Sequence, residues 1–262
     1  MRRAVVTGAS SGIGEATVRS LRSSGWEVVA VARREDRLRA LAEETGADVF
    51  VADLTVDADV EALRDHLRAT GGITTLVNNA GGAMGQDAVG EGSLDDWRWM
   101  YEINVLGTKR VITALLPLLR ESVSAGHADG ADILTVTSVA GFFPYQGGGG
   151  YNAAKFGEHA LVEALRIDLS GEPIRVLEIA PGMVKTEEFS LNRFGGDQAR
   201  ADAVYQGVVD PLSADDVAAT IRSMLEMPAH VSLDLVIIKP VAQSTVYKIA
   251  RGELAVKQPD GR

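Results

Sequence analysis

The sequence predicts an α/β fold, a single domain built on a doubly wound parallel sheet. Three observations carry this. Short apolar runs alternate with segments of helical period along the whole 262-residue chain. Most of the runs lack a polar alternate face, as strands covered by helices on both sides do. The first run turns into the first helix through a stretch holding Gly8, Gly12 and Gly14, the corner where such sheets bind ligands.

Each element follows from its residues. Strands are expected at 3–7, 27–32, 48–52, 75–77, 133–137, 175–179 and 234–238, all rich in Val, Ile, Leu or Ala. Helices are expected at 13–24, 35–45, 56–69, 95–121, 152–170 and 213–226. Gly25 and Gly46 follow the first two as C-terminal caps. Ser213 and Asp216 form a capping-box pattern before the last helix. The glycine run from Gly147 to Gly150 suggests a mobile backbone. Residues 186–212 fit no strand and read as an excursion over the carboxyl edge of the sheet. The domain thus spans 1–252, with a polar, loose tail over 253–262.

Composition narrows the function. A net charge of −10 argues against a nucleic-acid partner. The chain has no cysteine, which excludes disulfides, thiolate catalysis and thiolate-bound metals. Four histidines without an H-E-x-x-H pattern argue against a zinc site, so no metal is expected. Residues 1–7 read directly as a strand rather than a leader, and no run approaches the ~20 apolar residues of a membrane span. A cytoplasmic location is the matching expectation.

The glycine-rich corner suits a dinucleotide. Gly8, Gly12 and Gly14 permit a tight turn and let the backbone N–H groups approach a pyrophosphate at a helix N-terminus, with Ser10, Ser11 and Ile13 around them. A plain βα turn is the alternative. The second strand ends in Ala32-Arg33-Arg34 instead of the acidic residue that selects NAD, and two guanidinium groups suit the 2′-phosphate of NADP. A solvated basic helix start would look the same. Asp53 and Leu54 could meet the adenine, or Asp53 could cap the next helix. Asn79, Ala80 and Gly81 close the fourth strand with small residues that let the chain pass near a ribose.

A second constellation carries chemistry. Tyr151 and Lys155 are four apart on one helix face, and Ser138 follows the fifth strand. A phenol is a poor base at neutral pH, and a neighbouring ammonium favours the phenolate. Tyr151 would pass a proton while nicotinamide passes a hydride, with Ser138 bonding the substrate oxygen and Asn104 holding a relay water.

These residues carry a family resemblance. Thr7-Gly8-Ala9-Ser10-Ser11-Gly12-Ile13-Gly14, Asp53-Leu54, Asn78-Asn79-Ala80-Gly81, Ser138, Tyr151-Asn152-Ala153-Ala154-Lys155 and Pro181-Gly182-Met183-Val184-Lys185-Thr186 resemble the short-chain dehydrogenase/reductases over nearly the whole chain. The resemblance implies a Rossmann fold and a catalytic tetrad of Asn104, Ser138, Tyr151 and Lys155. It places Pro181, Gly182, Val184 and Thr186 beside the nicotinamide, and implies a homotetramer or homodimer. A narrower similarity, in Glu188-Phe189-Ser190, Arg193-Phe194, Tyr205-Gln206 and Pro240-Val241-Ala242-Gln243, is to the NADP-dependent 3-hydroxy acid dehydrogenases, including serine and allo-threonine dehydrogenases. It implies a small hydroxy or oxo acid as substrate, with Arg193 as carboxylate partner and Tyr145 beside it. A surface ion pair is the other reading of Arg193. Phe142, Phe143, Tyr145, Met183 and Phe189, as an apolar pocket, would instead suit a larger ketone or aldehyde. A non-catalytic NADP-sensing regulator is the reading outside the enzyme class.

Overall fold

The computed structural model describes residues 2–256. Seven strands form one sheet: β1 (Arg3–Thr7), β2 (Glu27–Ala32), β3 (Asp48–Val51), β4 (Thr75–Asn78), β5 (Ala131–Val136), β6 (Ile174–Pro181) and β7 (Leu235–Ile238). Their order is β3-β2-β1-β4-β5-β6-β7, and every pairing is parallel. The chain therefore winds outward twice from the β1/β4 junction. That junction is the topological switch point, where loops on opposite crossovers part and leave a crevice.

The helices are α1 (Gly12–Ser23), α2 (Glu35–Thr45), α3 (Asp57–Ala69), α4 (Leu94–Tyr101), α5 (Gly107–Ser124), α6 (Gly149–Asp168), α7 (Phe189–Arg193), α8 (Gln198–Tyr205) and α9 (Ala214–Leu225). Strand alternation divides the core. Ala4, Val6, Val28, Leu134 and Leu177 pack with Leu21, Leu38 and Ile221 of α1, α2 and α9. Val5, Val29, Leu76, Ile133 and Val176 pack on the other face with Leu63, Leu115 and Val162 of α3, α5 and α6. Each strand residue thus finds helix on its own side, which is why the inner strands show no polar alternation. The outermost strands β3 and β7 are only partly covered.

Capping follows the sequence. Gly25 (φ +81°) and Gly46 (φ +69°) follow α1 and α2 in the left-handed region. The Ser213–Asp216 capping box opens α9.

Two expectations need correction. The segment 95–121 is two helices, α4 and α5, separated by a π turn over Glu102–Leu106. The Gly147–Gly150 run is packed rather than mobile: Gly149 and Gly150 begin α6, and a Cβ on Gly150 would lie 2.4 Å from Met100 Cε. The excursion expected at 186–212 runs between β6 and β7 and carries the short helices α7 and α8. Gly252, the last residue of the expected domain, donates its N–H to Gly207 O at 2.7 Å. Of that tail, 257–262 lie outside the described residues.

Candidate active site

The first crossover builds an anion cradle. Gly8 has φ +66°, and a Cβ on Gly14 would lie 2.3 Å from Gly8 O. Only glycine lets the turn fold so tightly onto α1. Ser11, the residue before α1, makes no side-chain cap bond. The first N–H groups of α1 are thus left for a phosphate, and the dipole of the helix points the same way. The Thr7 hydroxyl clamps this corner to the fourth strand: it accepts from Asn79 N at 3.0 Å and Ala80 N at 3.1 Å. The Asn79 amide donates to Thr7 O at 3.0 Å. The Asn79 amide nitrogen therefore braces the turn.

At the adenosine end, one Asp53 oxygen accepts from Thr55 N at 3.0 Å and Thr55 Oγ1 at 2.7 Å. The other lies 3.8 Å from Arg33. Burial opposes ionisation of Asp53, but the Thr55 bonds and the Arg33 and Arg110 charges hold its carboxyl below its ordinary value. Arg33 extends outward with its side chain 65% exposed. Arg34 is already engaged: it donates to both oxygens of Glu188, at 2.6 and 2.8 Å, and to Ser10 Oγ at 2.9 Å. A phosphate reaching Arg34 would share it with Glu188.

At the chemical end, Ser138 caps the short turn after β5, its Oγ accepting from Ala140 N at 3.1 Å. Tyr151 and Lys155 lie in the first turns of α6. Lys155 Nζ sits 5.9 Å from the centroid of the Tyr151 ring. Lys155 Nζ also donates to Val136 O at 3.3 Å and Glu158 Oε2 at 2.5 Å. Asn104 lies in the π turn. Its amide donates to Met100 O (2.7 Å) and Gly82 O (2.9 Å), and its Oδ1 accepts from Gly82 N (3.2 Å). These bonds fix the loop after β4. A Cβ on Gly81 would meet Asn104 Oδ1 at 2.5 Å and Lys155 Nζ at 3.5 Å; glycine brings that loop down beside the lysine.

Residues of α7 border the cleft beside Tyr151. Arg193 donates Nε to Gly85 O at 2.9 Å and Nη1 to Tyr145 Oη at 2.7 Å. Its guanidinium lies 5.8 Å from the Tyr151 ring centroid. Its Nη2 is buried and has no hydrogen-bond partner. Among the described residues, the surface ion pair offered as the other reading of Arg193 does not form. Burial pushes the Tyr145 phenol up, against the pull of Arg193. Tyr145, Met183 and Phe189 line the cleft as expected. Phe142 and Phe143 do not: Phe142 stacks on His159 at 4.2 Å, and Phe143 is 54% exposed.

One cleft of about 780 Å³ joins these parts. Besides Phe142 and Phe143, the predicted residues outside its lining are Gly14 and Asn104, which support its walls. Sequence reasoning missed Glu188 and Glu158. Nothing local marks Glu188, because its partner Arg34 lies 154 residues away. Glu158 could have been found, since it follows Lys155 at helical i, i+3 spacing.

The family model described as short chain dehydrogenase matches residues 2–193. The chain belongs to the short-chain dehydrogenases. An uncharacterized oxidoreductase of Mycobacterium tuberculosis is 54% identical over 249 residues, 95% of either chain. Sulfoacetaldehyde reductase 2 of Chromohalobacter salexigens is 39% identical over 245 residues, 92% of this chain and 94% of the relative. The closed form of a serine dehydrogenase complexed with NADP+ superposes with a TM-score of 0.86 at 34% identity, covering 98% of this chain and all of that one. This dehydrogenase is accordingly an NAD(P)-dependent oxidoreductase acting on CH–OH groups. Its seven-stranded Rossmann sheet is that of its structural neighbours. Among the described residues no helix is long and apolar enough to cross a membrane.

Proposed function

We propose that the chain is an NADP-dependent dehydrogenase that interconverts a small 3-hydroxy acid and its 3-oxo form. The observation that carries this is the Arg193 guanidinium, held beside Tyr151 with a buried, unpartnered Nη2. A cation so placed lacks an anion, and a planar guanidinium takes a carboxylate well. A sulfonate is the related choice, in keeping with the named sulfoacetaldehyde reductase.

Gly8, Ser10, Ser11, Gly12 and Ile13 would hold the pyrophosphate, and Arg33, with a share of Arg34, the 2′-phosphate. Asp53, Leu54, Asn79, Ala80 and Gly81 would line the adenosine half. Pro181, Gly182, Val184 and Thr186 would border the nicotinamide. When bound, NADP supplies or takes the hydride. Tyr151 then gives a proton to, or takes it from, the substrate oxygen. Ser138 donates to that oxygen, and Lys155 places a positive charge beside the phenol and holds the ribose hydroxyls. Asn104 fixes the loop that closes this corner. Arg193 and Tyr145 fix the acid group, so that the reacting carbon faces Tyr151.

The test follows the absorbance of reduced cofactor with L-serine, L-allo-threonine, 3-hydroxypropionate, sulfoacetaldehyde and bulky ketones, each with NADP(H) and NAD(H). NADP-linked turnover of the small acids is the expected result. Turnover of the bulky carbonyls alone would favour a reductase of larger metabolites, the reading that Met183 and Phe189 on the cleft wall support. We also propose a cytoplasmic homotetramer or homodimer; exposed Tyr101 and Leu106 beside α5 and Phe156 on α6 are in keeping with paired helices. Native mass, compared with the 27.8 kDa chain, distinguishes the two.

A further inference from the structure

The face of the sheet that packs on α5 and α6 changes character at its carboxyl end. Leu76, Ile133 and Val176 are apolar and buried. Two residues further along each strand stand Asn78, Thr135 and Glu178, which are register partners across β4, β5 and β6. All three are buried. Neither amide atom of Asn78 has a protein partner, nor does the Thr135 hydroxyl. A buried polar row of this kind is a place for ordered water. Above it lies the pair Lys155–Glu158, with side chains 5% and 1% exposed.

We propose that Glu158 is the positioning residue of the catalytic lysine: its carboxylate fixes Lys155 Nζ, keeps it a cation inside the domain, and so sets the pH range of catalysis. This deepens the reading given under Proposed function and rests on the role assigned there to Lys155.

The geometry supports it from both sides. Glu158 Oε2 accepts from Lys155 Nζ at 2.5 Å, and Glu158 Oε1 from Thr108 Oγ1 of α5 at 3.3 Å. The carboxylate is thus aimed by one helix at a lysine on another turn of its own. Val136 O takes a second Nζ proton at 3.3 Å. The remaining donor is free to turn to the cleft, which Lys155 lines. The other titratable groups facing the pair are Tyr151, on the cleft side, and Glu178. Glu178 is itself held by the Thr137 hydroxyl at 2.6 Å and His159 Nδ1 at 2.9 Å. Glu158 is therefore the only carboxylate that any bond gives to Lys155 among the described residues. Burial works against the ammonium, and the Glu158 charge overrides it, so that Lys155 holds its proton more tightly than a free lysine. Without the Glu158 carboxylate, burial is opposed only by Tyr151 and Glu178, and the lysine releases its proton more readily.

The experiment compares wild type, Glu158→Gln, Glu158→Asp and Lys155→Met from about pH 6 to about pH 10. The first readout is kcat/KM. For Glu158→Gln the alkaline limb is expected to move down by about one pH unit or more, while Glu158→Asp stays with wild type. An unmoved limb in Glu158→Gln, or an equal shift in Glu158→Asp, overturns the proposal. The second readout is melting temperature, which needs no turnover. In Glu158→Gln the folded chain is expected to hold the Lys155 proton less tightly than wild type does, so its stability falls less, or rises, as pH increases. In wild type, stability from the raised lysine is full below its unfolded value and falls as pH passes the folded one. The gap between the two is expected to narrow as pH rises; a constant gap overturns the proposal. Should Glu158→Gln fail to fold, Thr108→Val is expected to shift the same limb in the same direction by less, and no shift overturns the proposal. If Lys155→Met keeps full turnover, the assignment of Lys155 fails instead, while melting still decides whether Glu158 holds the ammonium.

Discussion

The proposed carboxylate role of Arg193 rests on how its guanidinium is held. Two of its nitrogens are spent on protein, on Gly85 O and Tyr145 Oη, which fixes the plane of the guanidinium. The third has no partner. Arg193→Ala is expected to lower kcat/KM for a small hydroxy acid about 10- to 100-fold, as loss of a charge-assisted bond of roughly 1.5–3 kcal/mol would. Turnover of a neutral ketone should change little, and equal losses on both substrates would sink the carboxylate role. Residue-level legibility was uneven for a physical reason. Tyr151, Lys155 and Ser138 could be placed because each follows a strand end or sits on the next helix. The bonds of Arg34 could not be foreseen, because its charge is met by Glu188 on a distant loop. A lone Arg-Arg pair therefore reads as a free phosphate site when half of it is already occupied.

At the scale of elements, apolar runs located all seven strands, but their ends depend on pairing. β5 begins at Ala131, two residues earlier than hydropathy alone suggests, because Asp132 is buried against Arg175 at 2.6 Å. The π turn was invisible, since one extra residue in a helix leaves the apolar pattern nearly intact on either side. The start of α6 shows the opposite case, in which glycines taken for slack are the tightest contact. Gly150→Ala would drive a methyl into Met100 and Trp97, with its Cβ 2.4 Å from Met100 Cε and 3.0 Å from Trp97 Cδ1. Overpacking there is expected to cost about 1–3 kcal/mol, read as a lower midpoint in urea unfolding. A midpoint within error of wild type would show that Met100 simply turns away.

Across the whole molecule, the glycine corner, the Ser138 turn and α6 belong to the sheet body, while Arg193, the proposed carboxylate partner, rides on 186–212. Glu188 bridges the two. Its bonds from Arg34 hold its carboxyl below its ordinary 4.5. A depressed carboxyl contributes stability above its unfolded value and loses it as pH falls through the folded one. The loop is therefore expected to gain protease sensitivity below about pH 4.5 while the sheet body stays folded. Glu188→Gln should show that sensitivity already at neutral pH. Unchanged cleavage in the variant would mean that the Arg34 bridge does not restrain the loop.

The excursion also leaves and rejoins the domain through one narrow gate. Lys185 N donates to Leu212 O at 2.7 Å, and Leu212 N to Met183 O at 3.1 Å. Because entry and exit are joined side by side, the segment between them behaves as a cassette. Its length and sequence can drift with little strain on the strands beneath, since closing a longer loop across a fixed gate costs little. A cassette taken from a relative with another substrate, and keeping the docking pairs at Glu188 and Arg193, is expected to carry its specificity with it and leave the melting temperature nearly unchanged. In lineage terms, the sheet is a chassis that can change diet without relearning how to fold.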